Sequence, residues 1–311
     1  MKRFIEILGK VALFLLIVAL GIFAARAVSD RIWEKPPDIL ITDGGEQPSP
    51  LWDVSVTYID VGQGDAALIT TPDTHILIDS GEYTRADKVI RTLEEQGVKS
   101  LDMVIVSHQH TDHMGAMGEV LSRFDTKMII MPRVPERLIP TGTSYEYMLE
   151  AAEKQGLSFT MASPCVYRLG QGMGGDISLE ILYPHPDDVY DDLNDYSVVA
   201  RLVYGDVSWL FTGDLTANGE KALLDSGAYI DSTVLKVGHH GSSGSSSTAF
   251  LEAVTPDVAV ISVGADNSYG HPADDAVGRL HRFTDNVLRT DRAGDITLAS
   301  DGRSIMKNET F

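Results

Sequence analysis

Three histidines and one aspartate lie within six residues, directly after an apolar segment of the kind that forms a buried strand. The apolar segment is Met103–Ser107, and the six residues from His108 to His113 have the sequence HQHTDH. Ligand sites in open α/β sheets lie at the carboxyl ends of strands, and imidazole and carboxylate groups are ligands that suit Zn, Mn or Fe. The cluster therefore predicts a metal site at the edge of an α/β sheet. A surface histidine cluster without a metal is the alternative.

Strand-like and helical patterns alternate through the residues that follow position 52. Runs rich in Val, Ile and Thr predict strands, and apolar residues at helical spacing predict helices. The predicted strands are 54–60, 66–71, 75–79, 103–107, 179–183, 197–204, 207–212, 233–237 and 258–263, and the predicted helices are 85–96, 115–123, 145–155, 217–225, 248–254 and 273–283. Strands that alternate with helices indicate a layered α/β architecture, and adjacent strand pairs indicate mixed sheets.

Composition excludes several kinds of protein. The single cysteine, Cys165, excludes an intramolecular disulfide framework and a zinc site built from several thiolates. The formal net charge is −20, from 25 Lys and Arg against 45 Asp and Glu, which argues against a broad basic surface that holds nucleic acid. An enzyme whose positive charge comes from bound metal ions is compatible with this balance.

The first 28 residues have the layout of a secretory signal or a signal anchor. Basic residues, among them Lys2, Arg3 and Lys10, precede an uncharged apolar run, Val11–Ala25. The positive-inside rule keeps this basic end in the cytoplasm. We therefore expect a single-pass membrane protein that contacts the membrane through an N-terminal helix and carries its catalytic domain outside the cytoplasm. Secretion after cleavage of the segment is the alternative.

Residues 29–52 contain four prolines and a Gly-Gly pair, which predicts a linker with little regular structure. The organised pattern runs from residue 53 to residue 311, which predicts one folded domain after the linker.

The HxHxDH pattern after a buried strand resembles the signature of the metallo-β-lactamase superfamily. The resemblance implies a four-layer αββα sandwich with mixed sheets and a hydrolytic site that holds one or two divalent metal ions, Zn or Mn. It also implies that Asp79 orients the site, and that the metal ligands are His108, His110, Asp112, His113, Asp214 in WLFTGD and His239 in VGHHGS. His240 competes with His239 as the last ligand; we favour His239 because it follows the glycine at the strand end.

The superfamily's third motif normally contributes a histidine, and here that position is occupied by Asn194. An amide oxygen is a poorer ligand for zinc than imidazole, whereas harder metals tolerate oxygen better. One metal position is therefore expected to bind weakly or to prefer manganese.

A narrower resemblance connects the chain to the metallo-hydrolase domain of ComEC-type DNA-uptake proteins. It is carried by the segments YIDVGQGDA (58–66), the NxxS run (194–197), LKVGHHGS (235–242), YGHP (269–272) and TDRAGDI (290–296). The resemblance implies phosphodiester hydrolysis by metal-bound hydroxide, on a phosphodiester or nucleic-acid-derived substrate. No protein partner is evident from the sequence.

The expected phosphodiester hydrolysis suggests roles for individual residues. Asp112 is expected to hold a metal and orient the attacking hydroxide, and His271 to donate a proton or hydrogen bond to the leaving oxygen, with a structural turn histidine as the alternative. His240 and Ser242 are candidates to cradle a phosphate oxygen, although a flexible Gly/Ser loop is the simpler interpretation of the serines. Asp65 is expected to accept backbone hydrogen bonds in a tight turn.

Two other classes of function remain open at this stage. One is another hydrolase of the superfamily, such as a phosphorylcholine esterase, a lactonase or a β-lactamase-like enzyme. The other is a non-catalytic, metal-stabilised binding protein at the cell surface. The acidic run from Asp187 to Asp195 favours short or small phosphodiesters over long nucleic acid, because it repels a polyanion.

Overall fold

The computed structural model describes residues 42–43 and 52–309 of the chain. The predicted signal anchor, residues 1–28, and most of the predicted linker, residues 29–52, lie outside the described residues. Within the described part, no helix combines the length and the apolar character that crossing a bilayer requires.

The described residues form two large sheets, one small sheet and eight α-helices. The strands are β1 (Thr42–Asp43), β2 (Val54–Tyr58), β3 (Ala67–Thr70), β4 (His75–Ile78), β5 (Ser100–Leu101), β6 (Met103–Ile105), β7 (Asp125–Thr126), β8 (Ile129–Met131), β9 (Phe159–Met161), β10 (Cys165–Gly172), β11 (Gly175–Tyr183), β12 (Val199–Tyr204), β13 (Val207–Phe211), β14 (Val234–Lys236), β15 (Val258–Ile261), β16 (Asn286–Arg289), β17 (Ile296–Ser300) and β18 (Ile305–Glu309). The helices are α1 (Ala86–Glu95), α2 (Thr111–Met114), α3 (Met117–Arg123), α4 (Thr143–Lys154), α5 (Ala217–Asp225), α6 (Thr248–Val254), α7 (Asp274–Leu280) and α8 (Thr290–Ala293).

Both large sheets are mixed. The first has the strand order β1-β18-β17-β2-β3-β4-β6-β8-β9, and the second has the order β10-β11-β12-β13-β14-β15-β16. Strands β4, β6 and β8 are parallel neighbours in the first sheet, as β13, β14, β15 and β16 are in the second. Because parallel strands end at the same edge, each sheet gathers the loops that follow these strands on one side.

The two sheets pack face to face, and helices cover their outer faces. Tyr58 of β2 lies 6.2 Å from Phe211 of β13, measured between ring centroids, in the space between the sheets. One apolar cluster joins the first sheet to α1, α3 and α4, and a second joins the other sheet to α5, α6 and α7. The four-layer αββα arrangement expected from the sequence is confirmed.

The structure differs from the predicted elements in three respects. The predicted helix 115–123 is wrong in its extent, because a first short helix, α2, already begins at Thr111 and a break at Gly115 and Ala116 separates it from α3. Several predicted strands end one or two residues early, where Asp79 and Ser107 turn away to build the site. The strands that were not predicted are β1, β5, β7, β8, β9, β10, β16, β17 and β18. Most of them are short or carry many exposed residues, so they lack a clear apolar pattern; β17 is largely buried and was missed for another reason.

Candidate metal centre

The ends of four parallel strands place polar side chains at one point between the sheets. Asp79 follows β4, the HQHTDH motif follows β6, Asp214 follows β13, and the His239-His240 pair follows β14. These strand ends supply most of the residues predicted from the sequence.

Four of these side chains bring their donor atoms together; we call Asp112, His113, Asp214 and His240 the donor cluster. One ligand atom from each lies within 4.8 Å of the others. His113 Nε2 lies 3.2 Å from Asp214 Oδ1, and His240 Nε2 lies 3.3 Å from both Asp112 Oδ2 and Asp214 Oδ2. Two carboxylates and two imidazoles at these distances are a donor set that suits a divalent cation.

Three buried atoms of the donor cluster make no hydrogen bond of good geometry with any of the described residues. They are His113 Nε2, Asp214 Oδ1 and His240 Nε2. A buried polar atom without a partner is costly and calls for an explanation. A cation held between these atoms satisfies all three, so the residues present fit a metal ion.

The charges in the donor cluster oppose the effect of burial. Burial lowers the pKa of His113, but Asp214, Asp112 and Asp79 together hold this pKa well above its ordinary value. Burial likewise lowers the pKa of His240, and Asp214 and Asp65 raise it well above the ordinary value. A cation that binds here must therefore displace protons from the two imidazoles.

His108 and His110 lie beside the donor cluster. His108 Nε2 lies 2.9 Å from His110 Nδ1, and the ring of His108 lies 4.1 Å from that of His113, measured between centroids. Burial, followed by the nearby His113, holds the pKa of His108 well below its ordinary value, which keeps its ring neutral. A neutral imidazole is the form that binds a metal.

The His239-His240 pair turns both rings toward the centre by an unusual backbone. The φ angles are 49° at His239, 52° at His240 and 80° at Gly241, all in the left-handed region. Such conformations persist at functional sites when surrounding contacts enforce them, and here Ala273 N donates to Gly241 O at 2.9 Å. His240 becomes fully buried in the donor cluster, whereas His239 is partly exposed, with Nε2 3.6 Å from Asp214 Oδ2.

Asp79 is positioned to orient the centre. Its Oδ2 lies 2.9 Å from His113 Nδ1, and it accepts hydrogen bonds from the backbone N and the Oγ of Ser107 at 2.7 and 2.6 Å. Ser107 Oγ also lies 3.1 Å from His108 Nδ1. The sequence analysis did not single out Ser107, although a serine at the end of an apolar strand, beside the first histidine, was the available signal.

Asp65 behaves differently from its predicted role in a turn. Its carboxylate forms a buried ion pair with Lys236 and lies 3.3 Å from His240 Nδ1, rather than accepting backbone hydrogen bonds. Burial opposes ionisation, but Lys236 and then His240 hold the pKa of Asp65 below its ordinary value. The sequence analysis missed Lys236; the signal was a lysine inside the apolar strand VLKV.

The serine-rich loop after the histidine pair is held in place by two charged side chains. Glu220 accepts hydrogen bonds from the backbone N of Ser246 and of Ser247, and Arg279 donates to the carbonyls of residues 243, 245 and 246. The loop is therefore fixed, contrary to the interpretation of a flexible segment. Ser242 lies outside the cavity lining, and its Oγ accepts a hydrogen bond from Gly244 N at 3.3 Å.

A cavity of about 520 Å³ opens above the donor cluster. Asn194 and His271 line it together with Asp112, Asp214 and His240. Asn194 Oδ1 and His271 Nδ1 are buried atoms that find no hydrogen-bond partner within the described part of the chain. The ring of His271 lies 5.5 Å from that of His239 and 6.4 Å from that of His240, between centroids, so the predicted leaving-group histidine does face the centre.

A layered αββα fold with a histidine- and aspartate-rich centre at its strand ends defines a class of metal-dependent hydrolases. The family model of the metallo-beta-lactamase superfamily matches residues 59–265, and the chain belongs to this superfamily.

The chain is also similar to curated competence and recombination proteins. It is 32% identical over 259 residues to ComE operon protein 3 of Bacillus subtilis (strain 168). The aligned region covers 78% of this chain and 32% of that protein. It is 35% identical over 244 residues to competence protein ComA of Neisseria gonorrhoeae. This aligned region also covers 78% of this chain and 32% of that protein. The chain spans about a third of the length of these relatives. The predicted resemblance to ComEC-type competence proteins is confirmed.

One solved structure with a TM-score above 0.5 shares the fold at low sequence identity. The E377D mutant of CmlA beta-hydroxylase matches with a TM-score of 0.51 and 11% identity, covering 82% of this chain and 55% of that one. The metallo-beta-lactamase fold protein YhfI from Bacillus subtilis matches with a TM-score of 0.48 and 11% identity, covering 76% of this chain and 95% of that one.

Proposed function

We propose that this protein is an extracytoplasmic, metal-dependent phosphodiesterase that acts on nucleic-acid-derived substrates. The observation that carries the proposal is the donor cluster, whose unpartnered buried atoms point to one place at the floor of a cavity large enough for a small substrate. The similarity to competence proteins supports a substrate derived from nucleic acid. The location rests on the N-terminal segment, residues 1–28, which is also the proposed membrane contact.

The geometry supports a specific assignment of ligands. We assign one cation, Zn or Mn, to the donor cluster, with His240 rather than His239 as its last imidazole. His108 and His110, whose ring nitrogens lie 2.9 Å apart, would hold a second cation, with Asn194 Oδ1 in the cavity lining as a weaker oxygen donor. His239 then lies beside the centre, near its substrate side.

A divalent cation at this centre supplies Lewis-acid polarisation of a phosphoryl oxygen and lowers the pKa of water. The protein's own residues provide the rest. Asp112 lies at the cavity surface, where its carboxylate can accept a hydrogen bond from the attacking water and orient it. His271 lines the same cavity, where its ring N–H can donate a hydrogen bond to the leaving oxygen. Asp79 and Ser107 hold the His113 ring in one orientation.

The proposal is tested by metal content and by substrate choice. The purified full-length chain is analysed for bound Zn and Mn, and then assayed with bis(p-nitrophenyl) phosphate, p-nitrophenylphosphorylcholine and nitrocefin. We expect bound metal and turnover of the phosphodiester, lowered at least about a hundredfold in kcat by Asp214→Ala and by His110→Ala. His281→Ala and Asp225→Ala, which change exposed residues away from the cavity, serve as matched controls.

The outcomes separate the classes of function. Preferred turnover of nitrocefin or of the choline ester would move the chain to another hydrolase class of the superfamily. Bound metal without turnover of any of these substrates would indicate the metal-stabilised binding protein. Absence of bound metal together with absence of turnover under Zn and Mn would overturn the proposal.

A further inference from the structure

Tyr269 presents a large aromatic ring at the mouth of the cavity. Its surface is 71% exposed, although it lines the same cavity as Asp112 and Asp214. An exposed aromatic side chain beside a candidate active site is available to a substrate, whereas most rings of this size are used to fill a core.

The turn that carries Tyr269 is held by one side chain. Asn267 Oδ1 accepts hydrogen bonds from the backbone N of Tyr269 at 3.1 Å and of His271 at 3.0 Å. Its Nδ2 donates to Gly264 O at 2.9 Å and to His271 O at 2.6 Å. The ring of Tyr269 is therefore presented from a fixed backbone, which lowers the entropy cost of binding against it.

The ring lies at a defined distance from the donor cluster. Its centroid is 5.8 Å from that of His271, with an angle of 23° between the two planes, and His271 is in turn 6.4 Å from His240. The ring of His271 thus lies between Tyr269 and the donor cluster, and a nucleotide unit can bridge this separation. His271 covers one face of the ring, so a base next to a phosphodiester at the centre would stack on the other, exposed face.

The other walls of the cavity offer hydrogen-bonding and apolar groups rather than basic side chains. None of the described residues that line it is a lysine or an arginine, and the wall includes the apolar residues Met114, Leu138, Pro140 and Leu193. A substrate is therefore held, apart from the metal centre, by uncharged contacts. Stacking of a base on an aromatic ring is the strongest uncharged contact that such a wall can provide.

We propose that Tyr269 is a stacking platform for the nucleobase next to the scissile phosphodiester, so that the natural substrate is a nucleotide-bearing diester. This inference rests on the proposed phosphodiesterase function. A choline group is a weaker match, because quaternary ammonium ions are recognised by cages of several rings. Tyr269 instead offers one flat face, backed by a nearly parallel imidazole.

The test compares three p-nitrophenyl phosphodiesters that share a leaving group. One carries thymidine through its 5′-oxygen, one carries abasic deoxyribose, and one carries a methyl group. We expect the full-length chain to show a KM for the thymidine ester about five- to a hundredfold below that for the abasic ester. Tyr269→Leu should bring this KM ratio close to one, and Tyr269→Phe should retain it. Tyr83→Leu, which removes an exposed ring outside the cavity, is the control.

A binding measurement gives a readout that does not depend on turnover. The 5′-monophosphate of 2-aminopurine deoxyriboside serves as a product analogue, because the fluorescence of 2-aminopurine is quenched when the base stacks. We expect quenching with the wild-type chain and with Tyr269→Phe, and loss of quenching with Tyr269→Leu.

The failures of the two proposals are distinguishable. If none of the three diesters is hydrolysed, the phosphodiesterase function fails. If all three are hydrolysed with equal KM, or if Tyr269→Leu keeps the preference for the base, the function stands and the stacking platform is overturned. A stronger preference for p-nitrophenylphosphorylcholine that is lost in Tyr269→Leu would also overturn it.

Discussion

Replacing Lys236 by methionine should be far more damaging than the loss of an ordinary surface charge. Lys236 is 3% exposed and pairs with Asp65, which is itself buried beside His240. Methionine keeps the apolar stem and volume but removes the ammonium group. The Asp65 carboxylate is then left with His240 Nδ1 as its nearest positive partner, in a region that already contains Asp79.

The size of the effect follows from burial. Removing one partner of a buried ion pair costs about 3–5 kcal/mol, because the remaining charge stays desolvated after it has lost its closest counterion. In a domain of this size, that loss corresponds to a fall in Tm on the order of 10 °C. Lys221→Met is the matched control, because Lys221 and Asp225 form a pair in which both side chains are mostly exposed. The control should lose less than about 1 kcal/mol.

The measurement is urea and thermal unfolding of the full-length, chelator-treated chain, so that metal binding does not contribute. Adding Asp65→Asn to Lys236→Met removes the unpaired charge, and we expect it to recover at least about half of the lost free energy of unfolding. A loss below about 1 kcal/mol in Lys236→Met, or no recovery in the double variant, would refute the view that Lys236 is the counterion of Asp65.

Three further predictions concern the donor cluster. The imidazoles of His113 and His240 have a raised pKa in the absence of metal, so they remain protonated above pH 6.5. Metal binding should therefore release protons, and the metal affinity should increase as the pH rises. A metal affinity that does not change with pH would contradict this prediction. Ser107→Ala removes a hydroxyl that donates a hydrogen bond to the Asp79 carboxylate. Measured by titration calorimetry, this change should weaken metal affinity about 10- to 100-fold, whereas Ser122→Ala on an exposed helix face should leave it unchanged. Equal metal affinities of these two variants would count against the orienting role of Asp79. Gly64 has φ +135°, and a Cβ there would overlap the Asp112 carbonyl oxygen. Gly64→Ala should therefore cost about 1–3 kcal/mol in the free energy of unfolding and weaken metal binding, whereas Gly97→Ala, at φ +79° in open space, should leave metal binding unchanged. An unchanged metal affinity in Gly64→Ala would contradict the close approach of Gly64 to Asp112.

The position of most site residues could be predicted because it follows from chain order. Asp79, His108 and Asp214 each come directly after an apolar strand, and parallel strands of a layered fold end at the same edge. The pattern that identifies the strands therefore also identifies the residues that meet. Helices α5 and α6 were predicted from their apolar spacing at their observed limits, and the structure shows that Thr216 and Ser247 cap their N-termini.

The partners that fix these residues could not be predicted in the same way. Ser107 and Lys236 lie inside predicted strands, where the pattern assigns each only a face of the sheet. Their contacts with Asp79 and Asp65 join positions 28 and 171 residues apart in sequence. Glu220 and Arg279 hold the serine-rich loop from two different helices, a contact that depends on how the helices are placed on the sheet.

The choice between His239 and His240 could not be predicted because it depends on the local backbone conformation. In an extended chain, neighbouring side chains point in opposite directions, so only one of the two would face the centre. Both residues adopt left-handed φ angles instead, which turns His240 into the donor cluster and leaves His239 at its margin. Backbone strain of this kind depends on surrounding contacts, and composition and spacing do not reveal it.

The distribution of charge ties substrate binding to the metal. The floor of the cavity carries the carboxylates of Asp112 and Asp214, and the buried cation Lys236 is already paired with Asp65 behind it. Without a metal, these two carboxylates are balanced by the protonated imidazoles of His113 and His240, so the floor has no net positive charge that attracts a phosphodiester anion until a divalent cation occupies the donor cluster. Because the positive charge is then concentrated at one point, a chain with a net charge of −20 needs no basic surface to bind one phosphate group. It gains little from the further phosphates of a long strand, so selectivity has to come from uncharged contacts close to the centre, and Tyr269 is placed to provide one.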